Sequence, residues 1–174
     1  MLGQKPGFGL LGRNAAERAK ENALHQRKSF KLKAAMPPAD DWILKEYQPK
    51  DSPQRWFFRK NIAPAVPPKH RDYGFIAFLT FHYDPRDESG LPSVEDEELF
   101  FEFEESRLGV LEADNLSIHV AAVTKNGVKD FLFYTRDQHL FLQRAEQLRS
   151  AYSQFRVACD ISPDPQWNQY EDFP

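Results

Sequence analysis

Asn126 followed by Gly127, set between two runs of β-branched and aromatic residues, constrains this chain more than any other feature. A two-residue type I′ turn needs positive φ at both central positions, and Asn and Gly tolerate it best. Leu116 to Thr135 is therefore expected to form a β-hairpin. The turn sets a register in which Lys125 faces Val128, Ala122 faces Phe131, Val120 faces Phe133 and Ile118 faces Thr135, giving one mainly apolar face. The opposite face carries Ser117, His119, Ala121 and Val123 against Asp130, Leu132, Tyr134 and Arg136, and reads as open and mixed in character.

Upstream, Tyr73 to Tyr83 is apolar on both alternating faces, as expected of a central strand covered on two sides. Downstream, Val157, Cys159 and Ile161 alternate with Arg156, Ala158 and Asp160 in a short closing strand. Two helices are expected between these. One opens at Ser93, with Asp96 three residues on in a variant capping box and carboxylates crowding its first turn. It runs to Leu108, with Gly109 ending it and Leu99, Phe100 and Phe103 facing the core. Leu99, Phe101 and Phe103 also alternate like a strand, but the helix composes better with its neighbours. The other helix follows Asp137 as cap and aligns Phe141, Ala145, Leu148, Tyr152 and Phe155. The resulting order β-α-β-β-α-β predicts an α+β, ferredoxin-like sandwich.

Two further strands, Trp42 to Tyr47 and Trp56 to Asn61, flank a turn rich in Pro, Asp and Ser, and add an N-terminal hairpin. Residues 1–38 read as a basic, mobile or partly helical arm, ended by Met36, Pro37 and Pro38. Residues 39–174 then make a single domain, and Trp167, Tyr170 and Phe173 are expected to fold back onto it. Fifteen Phe among 174 residues supply its core.

The formal net charge of -3 gives no overall attraction to nucleic acid or to an anionic membrane. Charge is nevertheless unevenly spread. Met1 to Asp41 holds eight Lys and Arg against four Asp and Glu, whereas Asp87 to Glu112 holds ten acidic residues against Arg107 alone. One cysteine excludes an intramolecular disulfide framework, no run reaches membrane-spanning length, and the N-terminus lacks a secretory apolar core. Cytoplasmic residence is the expectation.

Motifs for chemistry are sparse. Gly7, Gly9 and Gly12 match the dinucleotide fingerprint, but no strand fits ahead of them to aim a helix at a phosphate. His82 and His119 both lie on expected strands, where a neighbouring carboxylate would complete an acid-base or metal pair, or both are ordinary half-buried histidines. Cys159 reads as a small core residue with an inert thiol. The carboxylates from Glu95 to Glu105 lack a calcium-loop pattern and read as a solvated helix face, or as an acidic surface that occupies a basic groove on a partner. Lys129 to Phe133 lacks the glycines of an RNA-recognition strand, so direct nucleic-acid binding is not expected. No cofactor or metal is implied.

From Asp41 to the end the chain resembles an uncharacterised bacterial family, a domain of unknown function numbered six-nine-five. The likeness rests on the central aromatic strand, GLPSVEDEEL before the first helix, VTKNGVKDFLFYTRD across the hairpin and DPQWNQYEDFP at the tail. The hairpin-to-tail pattern is also distantly similar to the regulator of ribonuclease E activity, type B. That resemblance implies a ferredoxin-like fold and a regulatory binding role, with no catalytic residues to carry over. The expected function is a non-enzymatic module that binds an unidentified protein partner through Glu97, Glu98 and Glu102 or through the hairpin face around His119, Leu132 and Tyr134. The alternative is a small-molecule-binding domain or enzyme with a pocket near His82, His119 and Tyr134. The aromatic excess also fits a homodimer surface.

Overall fold

A computed structural model describes residues 41–174 of the chain, which lie within the unit Pro38–Pro174. The expectations for the arm and for Gly7, Gly9 and Gly12 lie outside the described residues. Among the described residues six strands, β1 (Trp42–Tyr47), β2 (Trp56–Asn61), β3 (Phe75–His82), β4 (Ser117–Lys125), β5 (Val128–Thr135) and β6 (Arg156–Pro163), make one mixed α+β domain with four α-helices and one 3-10 turn, Ala113–Asn115. The helices are α1 (Val94–Ser106), α2 (Gly109–Glu112), α3 (Gln138–Ala151) and α4 (Asn168–Asp172). The sheet order is β1-β2-β4-β5-β3-β6, and each strand runs antiparallel to its neighbours.

The hairpin turns as its residues require, with φ of 41° at Asn126 and 80° at Gly127. A side chain at Gly127 would also meet the Tyr83 carbonyl at 3.1 Å. Register follows the turn from Lys125↔Val128 to Ala121↔Leu132, then slips: His119 pairs with Phe133, Ile118 with Tyr134 and Ser117 with Thr135. Val120 is the extra residue of a β-bulge. The expected pairs Val120 with Phe133 and Ile118 with Thr135 are corrected accordingly. Everything on β4 up to and including Val120 has changed face.

Both helix starts are as the sequence predicts. The Ser93 hydroxyl accepts the Asp96 N–H at 3.1 Å, and the Asp137 carboxylate accepts those of His139 and Leu140 at 3.0 Å each. Helix α1 ends at Ser106 rather than Leu108, and Gly109 opens the short α2 instead of closing α1. Leu99 to Phe103 is helical: Phe100 and Phe103 are buried, while Phe101 points outward and is 67% exposed.

Covering a sheet that is apolar on both sides takes two layers. Helices α1 and α3 close one face over Leu79, Phe81, Phe131 and Phe133. Phe81 sits at the centre, with ring centroids of Phe103, Phe100, Phe131, Tyr152 and Phe155 at 5.0–5.9 Å, all edge-on. The other face, over Ile76, Val120, Leu132 and Tyr134, is closed by the C-terminal tail. Trp167 stacks on Tyr134 at 3.8 Å with a 5° interplanar angle and donates its Nε1–H to the Tyr73 carbonyl. The Tyr134 hydroxyl donates to Asp164 at 2.6 Å, and that carboxylate also accepts the N–H groups of Asn168 and Gln169.

Because so many rings converge on Phe81, Phe81→Ala is expected to cost about 3–5 kcal/mol. Urea unfolding followed by fluorescence measures it, and a loss below about 1 kcal/mol would contradict this account of the core.

Candidate functional site

Helix α1 does not cover the whole of its side of the sheet. Arg59 pairs in register with Ala122, whose side chain belongs to the helix-side core, so Arg59 and its alternate Phe57 also face that side. Between β2 and α1 lies an open groove of about 440 Å³. Its floor carries Phe57, Arg59, Thr124 and Lys129, and its helical wall presents Glu97, Phe101, Glu104 and Glu105.

Charge on the floor is locked into one cluster. One Glu104 carboxylate oxygen pairs with Arg59, and the other meets Lys129 Nζ at 3.1 Å. Burial alone would raise the Glu104 pKa, but Lys129 and Arg59 together outweigh it and hold the carboxyl below its ordinary value. Burial pushes the Lys129 ammonium down, opposed by Glu104. Lys129 is 8% exposed, so its charge depends on that carboxylate.

His119 stands directly behind this cluster. Its ring lies 5.0 Å from Phe133 and 4.8 Å from Trp42, and the Arg59 guanidinium covers the other ring, Trp42, at 5.1 Å. The bulge takes the His119 N–H out of the ladder and gives it to Glu112 Oε1 at 2.8 Å. Nε2 lies 3.0 Å from the Ala121 carbonyl, which only accepts, so Nε2 carries the ring proton. Burial dominates the electrostatics and pushes the ring pKa down to about 3. This is a neutral, packed histidine.

The grouping of His119 with Leu132 and Tyr134 is corrected by the bulge. His119 faces the helix side, whereas Leu132 and Tyr134 face the tail side, where they are 3% and 0% exposed beneath Trp167 and Tyr170. That hairpin face is closed. The grouping of His82, His119 and Tyr134 fails for the same reason and through distance. His82 pairs with Val128 at the turn end of the sheet and Tyr134 pairs with Ile76, six residues or about 20 Å along the strand. His82 Nδ1 instead accepts from Arg156 at 3.2 Å beside an open, polar cleft with Asp84 and Asp96. Burial raises the Cys159 thiol to about 12, against helix-side core residues.

Glu97, Glu98 and Glu102 are all exposed on α1, and of the three only Glu97 lines the groove. The partners that matter most at the groove, Arg59 and Lys129, were missed, because in the sequence each reads as an isolated surface cation. Among the described residues no group of three His, Cys, Asp or Glu side chains is placed to hold a metal, and no helix is long and apolar enough to cross a membrane.

A family model spans residues 54–173, more than two thirds of the chain, and so includes the groove, the hairpin and the tail. The chain belongs to DUF695, a family of unknown function. Within DUF695 the matched span holds Arg59, Glu104, His119 and Lys129 but leaves out β1, and with it Trp42. No curated protein and no solved structure matches the chain.

Two outcomes test the site. Glu104→Gln strands Lys129 in a buried position and is expected to cost about 3 kcal/mol or more in urea unfolding, whereas Glu104→Leu with Lys129→Met recovers most of that loss. Equal destabilisation by both would show that packing, not charge, is what Glu104 supplies. For His119 the folded pKa lies below the unfolded value near 6.5, so the unfolded chain binds the proton first. Stability is then fully present above that value and falls as pH drops towards 3, by up to about 1.4 kcal/mol per pH unit. His119→Phe is expected to flatten the upper part of this acid limb, and parallel wild-type and variant profiles would contradict the assignment.

Proposed function

We propose that this protein is a non-enzymatic regulatory module that binds a protein partner through the outward face of α1. The observation that carries this reading is the exposure of Phe101 amid carboxylates. Helix α1 holds seven acidic residues in thirteen and no basic one. Glu97, Glu98, Glu102 and Glu105 are exposed and form no ion pair among the described residues, and Phe101 is 67% exposed between them. A solvated helix needs no large ring on its outer face, whereas a ring within a polar rim is how protein interfaces concentrate affinity. Unpaired carboxylates add steering towards a basic partner surface.

The finer architectural reading is ferredoxin-like. What supports it is the order β4-β5-β3-β6 together with the packing of α1 and α3 on one face. A regulatory role is what the resemblance to the regulator of ribonuclease E activity, type B, implies, and an acidic docking helix is compatible with it. Cytoplasmic residence belongs to the same proposal.

Capture from native lysate, with and without nuclease, tests the reading. Wild type is expected to retain a stoichiometric, nuclease-resistant protein, and E97K/E98K/E102K to lose most of it. Undiminished capture by the triple variant at low salt would overturn the acidic face as the docking surface.

A further inference from the structure

Among the surfaces of the domain, the groove between β2 and α1 combines an exposed ring with a defined charge pattern. Phe101 overhangs it from the helix. Leu44, paired in register with Arg59 and therefore on the same face, stands at its outer side and is 63% exposed. Phe57 lies on the floor beneath the Arg55 guanidinium, 5.3 Å from its centroid. The groove therefore has an apolar mouth on both sides.

Charge narrows the occupant further. Both cations on the floor, Arg59 and Lys129, are already engaged by Glu104, so an incoming carboxylate or phosphate would compete with an intramolecular partner that is in place. The carboxylates of Glu97 and Glu105 line the same groove without a cation of their own among the described residues. Counting Arg59 and Lys129 against Glu97, Glu104 and Glu105 leaves the groove with one excess negative charge. An anionic ligand is disfavoured and a cationic one favoured.

We infer that this groove takes a short basic segment of a partner protein, with a large apolar side chain seated between Phe101 and Phe57 and flanking arginine or lysine residues meeting Glu97 and Glu105. This rests on the reading of α1 as the docking face and adds the chemistry of what docks. The volume of about 440 Å³ is that of a pocket for a few side chains. The Arg59–Glu104–Lys129 cluster acts as a positioning element, tying the helical wall to the sheet so that the groove keeps its width.

Fluorescence polarisation on the full chain tests the inference, with three labelled peptides of equal length: arginine alternating with leucine and phenylalanine, all arginine, and glutamate alternating with the same apolar residues. The arginine–apolar peptide is expected to bind at least about tenfold more tightly than either of the others. Phe101→Ser and E97K/E105K are each expected to weaken it by about tenfold or more, whereas D160K/D172K, a charge reversal on exposed positions of the tail side, leaves it unchanged. Equal binding of the all-arginine peptide, an equal loss in D160K/D172K, or no effect of Phe101→Ser would overturn the inference in favour of diffuse charge attraction. Tighter binding of the glutamate peptide would overturn it outright. The two readings fail separately. Loss of the captured lysate protein in E97K/E98K/E102K without peptide discrimination removes the groove and keeps the acidic face; retained capture removes both.

Discussion

A β-sheet that is apolar on both faces has to be covered twice, and this requirement shapes nearly everything else in the domain. Strand β3 alternates Ala77, Leu79 and Phe81 towards the helices with Ile76 and Phe78 towards the tail. Neither set tolerates water. On the helix side two helices suffice, because α1 and α3 each deliver a few large rings and meet at Phe81. On the other side no long helix lies among the described residues, and the last dozen residues supply the cover. Trp167 lies flat on Tyr134, Tyr170 donates to the Asn61 carbonyl and Phe173 meets Phe58 edge-on. Each ring carries its own hydrogen bond or packing partner, so the tail is part of the fold.

The two covers differ in extent, and the difference creates the candidate site. The tail reaches out to β2, whereas α1 stops short of the helix-side surface of β1 and β2. What is left is a partly sheltered strip on which Arg59 and Lys129 lose much of their water. Glu104 compensates for both. A carboxylate held in this way is charged and structural, and it leaves the outer carboxylates of α1 as the groups with charge to spare.

Much of this organisation was readable from local chemistry. The Asn126–Gly127 turn, the caps at Ser93 and Asp137, the ranges of β1 and β2 and the return of the aromatic tail all rest on interactions between residues close in sequence or on rings that a free tail has no use for. The ambiguous run from Leu99 to Phe103 resolved as helix because Phe100 and Phe103 meet the core from one side, which a strand would not allow. Two features escaped. The bulge at Val120 leaves no mark on the hydrophobic pattern, since His119, Val120 and Ala121 fit either face; the contacts that accompany it, Glu112 to the His119 N–H and the ring to the Ala121 carbonyl, exist only in the fold. The Arg59–Glu104–Lys129 cluster joins residues 45 and 25 positions apart along the chain, and nothing near any of them announces burial. Burial of the hairpin face is hidden from the sequence for a related reason: Leu132 and Tyr134 look open until the tail is laid over them.

We propose that the helix side of the sheet is the face that meets a partner. Amide chemical-shift mapping of the full chain, titrated with the arginine–apolar peptide, tests that proposal most directly. Shifts concentrated on α1 from Glu97 to Glu105 and on the facing strand positions Phe57, Thr124 and Lys129 are the predicted result. Shifts concentrated on the tail side, around Val66, Trp167 and Phe173, with α1 unmoved, would contradict it.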